Sequence, residues 1–192
     1  WNVHRPHTVI GYARGNAMNM GVTLAVYASI CKATGKPFTF PGSQVQWNAL
    51  TDLTDSLVLA RQMEWAATTP GTHNEAFNTV NGGVFRWRRL WHEIGEFFEL
   101  EVAGCPETPQ PLETQMADIA PTWAEIAENN ELVEADVSKL ASWWHTDADL
   151  GRELECVNDV TKSRDFGFDH FRETRAALFD LFTRLRAERI IP

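Results

Sequence analysis

Residues 16–35, NAMNMGVTLAVYASICKATG, constrain the fold more than any other stretch of this chain. Apolar side chains occupy most faces of a helix drawn through them, and such a helix is stable only when other elements cover it on several sides. Gly35 follows the last helical position, where a glycine takes up the left-handed conformation that ends a helix. Layers must therefore be built around this segment, and 192 residues with 44% hydrophobic content suffice for a domain with a sizeable core.

The flanking patterns say what those layers are. Trp1 to Val3 and Val9 to Ile10 are expected as strand and strand exit, with Pro6 ending ladder donation between them. PFTFPG reads as a short strand between two prolines. WNALTDLTD leads into a helix over 56–67, capped by Thr54 or Asp55, with Leu59, Met63 and Ala66 on its inner face. EAFNTVNGG is expected as a strand that closes in an Asn-Gly turn. Three later sets fall at helical spacing: Trp87, Leu90, Trp91, Ile94, Phe97 and Phe98; Val137, Leu140, Ala141 and Trp144; and Phe171, Leu178, Leu181 and Leu185. Between the first two, the three prolines of GCPETPQPLETQ mark a surface connection. The expected class is α/β, with residues 1–83 supplying the end of a parallel sheet with interleaved helices and residues 84–192 a mostly helical lobe.

The charge sum of −9, from 17 basic and 26 acidic residues, argues against a nucleic-acid partner, which needs clustered Lys and Arg. No apolar run approaches membrane-spanning length and no charged leader precedes an apolar stretch. Cys31, Cys105 and Cys156 are widely separated and form no CxxC pair, which points to a reducing, cytoplasmic setting rather than to a disulfide framework or a zinc knuckle. The signatures GxGxxG, GxxxxGK[ST] and HExxH do not occur, and Asn16 and Cys31 stand where a Tyr12 or Tyr27 proton donor would need a Lys four residues on.

Among the six histidines only His4 and His7 lie close together, and Pro6 between them forbids helical ligand spacing, so no metal site is expected. The run Arg86, Arg88 and Arg89, interleaved with Trp87, Leu90 and Trp91, reads as the solvated face of a helix rather than a phosphate site. The acid-rich EIAENNELVEAD likewise reads as a solvated helix and turn. Met18, Met20, Trp47, Trp143 and Trp144 could form an adaptable apolar wall, though as a pattern alone core packing explains them better.

Taken in order, VHRPHTVIGY, MNMGVTLAVYASICKATGKPFTFPG, WNALTDLTDSLVLARQMEWAATTP, NEAFNTVNGGVFRWRRLW, PTWAEIAENN, SWWHTDADL and the tail from TKSRDFGF to RIIP resemble the progesterone 5β-reductase and iridoid synthase family, a branch of the extended short-chain dehydrogenase/reductases. The resemblance runs from Trp1 to Pro192. It implies the C-terminal part of such a protein: the last strands of a Rossmann sheet plus a mostly helical substrate-binding lobe. The family's Gly-rich nucleotide turn and its catalytic Tyr and Lys would lie upstream of Trp1, which leaves no catalytic residue of that kind in this chain.

What the resemblance carries over is one wall of an active site. Pro6, His7, Thr8 and Val9 match the loop that passes a nicotinamide ring, contacting NADP or NAD largely through backbone. Thr8, Met18, Asn19, Trp144 and His145 match substrate-facing positions. Thr8 stands where plant members often have Asn, and His145 replaces a Phe, making the pocket more polar there. The implied reaction is reduction of an activated C=C bond in a small hydrophobic carbonyl compound, an enone or enal. A free-standing module for a hydrophobic ligand, or a piece of an epimerase or hydroxysteroid dehydrogenase, are the other readings. The expected partner is a Rossmann half or a second copy of the chain, covering unpaired strand edges.

Overall fold

In the computed structural model all residues are described except Arg14 and Ala17. Strand β1 (Val3–Pro6) pairs in parallel with β5 (Ala76–Thr79), Val3 opposite Ala76 and Pro6 opposite Thr79. The strand starts two residues later than expected and runs through Pro6, which its terminal position permits because no later ladder bond needs a proline N–H. Two shorter parallel pairs accompany it: β2 (Val9–Ile10) with β4 (Thr54–Asp55), and β3 (Phe38–Thr39) with β6 (Val102–Gly104). Parallel partners require crossovers, and helices supply them. β6 was not foreseen, because a three-residue strand next to a helix end leaves no period to detect.

The layers implied by residues 16–35 are present. Helix α1 (Met20–Thr34) buries every residue from Met20 to Cys31. Asn19 caps its start by accepting from the Val22 N–H, and Gly35 ends it at φ 67°. Packed around it are α4 (Trp87–Phe98), α6 (Ala120–Asn129), α7 (Trp143–Leu150) and α9 (Thr174–Ala187). The Phe38 and Trp91 rings stack 4.1 Å apart, and Trp91 Nε1 donates to the Phe38 carbonyl at 3.2 Å. The hydrophobic core runs from Ile10 to Ile191, so residues before and after position 83 share it.

Three local expectations change in the folded chain. Helix α3 (Ser56–Thr68), capped by Asp55, turns Val58, Gln62 and Ala66 inward and leaves Met63 52% exposed. Gln62 sets that rotation: its side chain takes the Thr79 hydroxyl, donates to the Asn78 carbonyl at 3.1 Å and meets His4 Nδ1 at 3.0 Å. Val137 to Trp144 is not one helix but a 3₁₀ turn (Val137–Lys139) and, after a break, α7; the Thr23 hydroxyl accepts from the Ser142 N–H at the break. Phe171 precedes α9 and is exposed, because Glu173 caps that helix by accepting from the Arg175 and Ala176 N–H groups.

Candidate functional site

β1 stops at Pro6, and two residues, His7 and Thr8, carry the chain to β2. Long-range contacts pin this link on both sides. His7 Nδ1 lies 2.7 Å from Asp52 Oδ1, and its Nε2 lies 2.7 Å from Arg152 Nη1. Asp52 is 1% exposed and also accepts from the backbone N–H of Asn158 at 2.7 Å and from its side-chain amide at 2.9 Å. The Thr8 hydroxyl donates to Asp149 Oδ2 at 2.9 Å, while Arg152 Nη2 reaches Asp149 Oδ1 at 3.1 Å. The Thr8 carbonyl accepts from the Thr54 N–H at 3.0 Å. Its own N–H has no protein acceptor among the described residues.

Helix α7 is the hub to which the other chosen residues attach. The Ser142 N–H donates to Thr23 Oγ1 at 3.0 Å, and Thr23 passes the link to the Asn19 carbonyl at 3.0 Å. The starts of α1 and α7 therefore meet, bringing Met18 and Asn19 toward the turn that carries Trp144 and His145. Asn19 is 3% exposed and both ends of its amide are engaged, Oδ1 by the Val22 N–H and Nδ2 by the Gly11 carbonyl at 2.8 Å. Met18 and Trp144 are exposed, and the Trp144 ring stands edge-on to His145 at 5.7 Å. Ser142 Oγ, His145 Nδ1 and Thr146 Oγ1, at spacing i, i+3 and i+4, are buried with no partner among the described residues. Ser142 occupies the N-cap position of α7 without capping it through its side chain.

The far end of α7 is held just as closely. Ser43 donates through its N–H to the Leu150 carbonyl at 3.0 Å and through its hydroxyl to the Arg152 carbonyl at 2.7 Å. The approach depends on Gly42, since a Cβ there would lie 2.0 Å from the Leu150 oxygen. Pro6 is exposed and Val9 half-buried.

Met18, Met20, Trp47, Trp143 and Trp144 do not form a single wall. Met20 is in the core, Trp47 packs on Phe40 with centroids 5.0 Å apart, and Met18 and Trp144 face solvent. Arg88 and Arg89 lie on the exposed side of α4, whose Trp87, Leu90 and Trp91 are buried, as the interleaving implied. They border a groove of about 400 Å³ with Arg86 and Arg175, away from the chosen residues. Asp52, Asp149, Arg152 and Asn158 escaped sequence reasoning. Only Asp52 left a trace: an ionisable side chain between Thr51 and Leu53 in a stretch otherwise suited to burial.

The geometry can be set beside known proteins. A family description, PRISE-like Rossmann-fold domain, matches residues 1–192. An (S)-8-oxocitronellyl enol synthase of Camptotheca acuminata is 37% identical over 194 residues, covering 100% of this chain and 50% of the relative. A 3-oxo-Delta(4,5)-steroid 5-beta-reductase of Arabidopsis thaliana is 34% identical over 193 residues with the same coverage of each. This chain thus spans about half the length of the curated relatives it matches. Among solved structures, the UDP-N-acetylglucosamine 4-epimerase from Methanobrevibacter ruminantium M1 superposes with a TM-score of 0.59 at 11% identity, over 97% of this chain and 46% of that one. The terminal R domain from the myxalamid PKS-NRPS pathway does so at 0.58 and 13% identity, over 98% and 44%. These two likenesses establish a Rossmann-like α/β fold. Parallel strand pairs crossed by helices, a match along the whole chain and relatives more than a third identical place residues 1–192 in the PRISE-like Rossmann-fold family.

Proposed function

We propose that residues 1–192 supply the substrate-binding, C-terminal portion of an NAD(P)H-dependent oxidoreductase that reduces an activated C=C bond in an enone or enal. The observation that carries this reading is the convergence on α7 of the 7–8 link, held through Asp149 and Arg152, and of the start of α1, held through Thr23 and Ser142. The names of the relatives support the substrate class, since a 3-oxo-Δ4 steroid is itself a conjugated enone. The loop fits a nicotinamide nucleotide: Pro6 offers no N–H, the Thr8 hydroxyl is committed to Asp149, and the Thr8 N–H is left to donate to a carboxamide oxygen. Such a nucleotide supplies the hydride when bound.

Pro6, His7, Thr8 and Val9 then form the cofactor wall, and Met18, Trp144 and His145 the apolar and polar sides of the substrate wall. Asn19 acts by ordering the start of α1, its amide being spent on Gly11 and Val22. His145, half-buried beside the exposed Trp144, furnishes the more polar flank. Three unpaired thiols suit a reducing, cytoplasmic compartment, and no helix among the described residues is long and apolar enough to cross a membrane.

Nucleotide oxidation tests the reading. A longer polypeptide that adds an upstream nucleotide-binding half should consume NADPH or NADH with a small enone, whereas residues 1–192 alone should not. Turnover by residues 1–192 alone would overturn it. Oxidation of alcohols with NAD by the longer polypeptide, without enone reduction, would assign a dehydrogenase instead.

A further inference from the structure

A guanidinium group donates hydrogen bonds and accepts none. Arg152 Nη1 is 2.7 Å from His7 Nε2, so that ring nitrogen must be the acceptor. The imidazole is therefore neutral with its proton on Nδ1, and it donates from there to Asp52 Oδ1 at 2.7 Å. Asn158 fixes the Asp52 carboxylate from the other side through two further hydrogen bonds.

Beyond Arg152 the connections return to where they began. The guanidinium holds Asp149 through Nη2, and through Nε at 3.0 Å to the Asp149 carbonyl; the other Asp149 carboxylate oxygen takes the Thr8 hydroxyl. His7, Arg152, Asp149 and Thr8 thus close a ring of polar contacts on two consecutive residues. Only Asp52 and the His7 ring are well buried, while the Arg152–Asp149 pair keeps partial contact with water, and a partly exposed ion pair adds little stability on its own. A fully connected polar ring instead specifies one geometry.

We propose that Asp52 and Arg152 are positioning residues. Acting through the neutral, Nδ1-protonated ring of His7, they set the backbone of the 7–8 link and so determine how a nicotinamide nucleotide lies against it. The second half of this statement rests on the reductase reading above; the first half does not. In this role both act through His7 and not by contact with substrate or cofactor.

The test uses the longest natural polypeptide that includes residues 1–192, as wild type, Arg152→Met, Arg152→Lys and Asp52→Asn. Nitrogen-15 imidazole spectra should show His7 with its proton on Nδ1 in the wild type and still on Nδ1 in Arg152→Met, where Asp52 continues to accept from that nitrogen while the Nε2 resonance shifts on losing its donor; in Asp52→Asn, which removes the carboxylate acceptor, a fraction protonated on Nε2 should appear. With an enone as substrate, Arg152→Met should lower kcat/KM for the nucleotide by about tenfold, the order expected when a supporting contact is lost, and change KM for the enone by less than about twofold. Arg152→Lys, which keeps a donor toward Nε2, should recover most of the loss. A wild-type ring protonated on Nε2 overturns the proposal whatever the enzyme acts on. Equal loss in the nucleotide and enone parameters, tracking a fall in Tm and not recovered by Lys, overturns the positioning role. If no enone is reduced by any form, the reductase reading fails while the spectra still decide the tautomer.

Discussion

Cys31 shows burial outweighing a hydrogen bond from Tyr27 and the charge of Lys36 in setting a side chain's chemistry. It lies on α1 with 2% exposure, its Sγ 3.8 Å from the Pro37 carbonyl, and desolvation pushes the thiol up to about 11. At pH 8 only about one part in a thousand is thiolate, the form that reacts. Thiol reagents should therefore modify Cys105 or Cys156 in the native protein and reach Cys31 only after denaturation. Labelling of Cys31 at the rate of the other two would contradict this. Because its folded-state value is raised, stability from the neutral thiol is present below pH 9 and lost as pH rises toward 11, where urea midpoints of the wild type should fall more steeply than those of Cys31→Ala. Asn19 is a residue of another kind, a double tie. Asn19→Ala removes the cap on Val22 and the bond to Gly11, a loss of about 1–2 kcal/mol in urea unfolding. Asn19→Asp keeps the cap but sets a buried carboxylate oxygen against the Gly11 carbonyl, and at pH 7 should lose at least as much.

At the scale of elements, α7 carries more than its eight residues suggest. Its start holds α1 through Ser142, its last turn holds Thr8 through Asp149, and Asp147 between them accepts from the Leu112 and Glu113 N–H groups that open α5 (Leu112–Gln115). Gly42 lets the 41–43 segment lie against the end of α7. Gly42→Ala brings a methyl group onto a backbone carbonyl that cannot move aside, and should cost about 2–3 kcal/mol in urea or thermal unfolding. Unchanged stability would mean that this approach is looser than the geometry indicates. Element signals in the sequence were strongest where a cap is a local event: Gly35 and Asp55 end and begin their helices as read. They failed at Val137–Trp144, where helical spacing was real but a hydrogen bond from Ser142 to Thr23, 119 residues away, interrupts the helix.

For the whole molecule, β1 is paired on one edge only among the described residues, by β5. Trp1 is 73% and Val3 44% exposed beside that open edge. An unpaired edge with apolar neighbours invites another strand. Residues 1–192 produced alone should therefore self-associate in sedimentation velocity runs, and Val3→Lys should shift them toward monomer. A monomer at high concentration in both forms would contradict this. The net charge of −9 opposes association in general but leaves a hydrogen-bonding edge available.

What the sequence determined by itself was everything decided within a few residues or by overall pattern. The all-round apolar run of α1 required covering layers, the caps set helix ends, helix and strand signals alternating in the first half before a nearly all-helical second half gave the α/β class, and the motifs in order gave the family. The resemblance singled out the loop residues His7 and Thr8, but nothing in the sequence foretold that they are clamped as a pair. His7 finds Asp52 45 residues on and Arg152 145 residues on, and Thr8 finds Asp149 141 residues on. No periodicity links such positions. They meet because α1 must be buried, burial brings α7 and the segment after it across the end of β1, and only then do the buried polar atoms there find the partners they need.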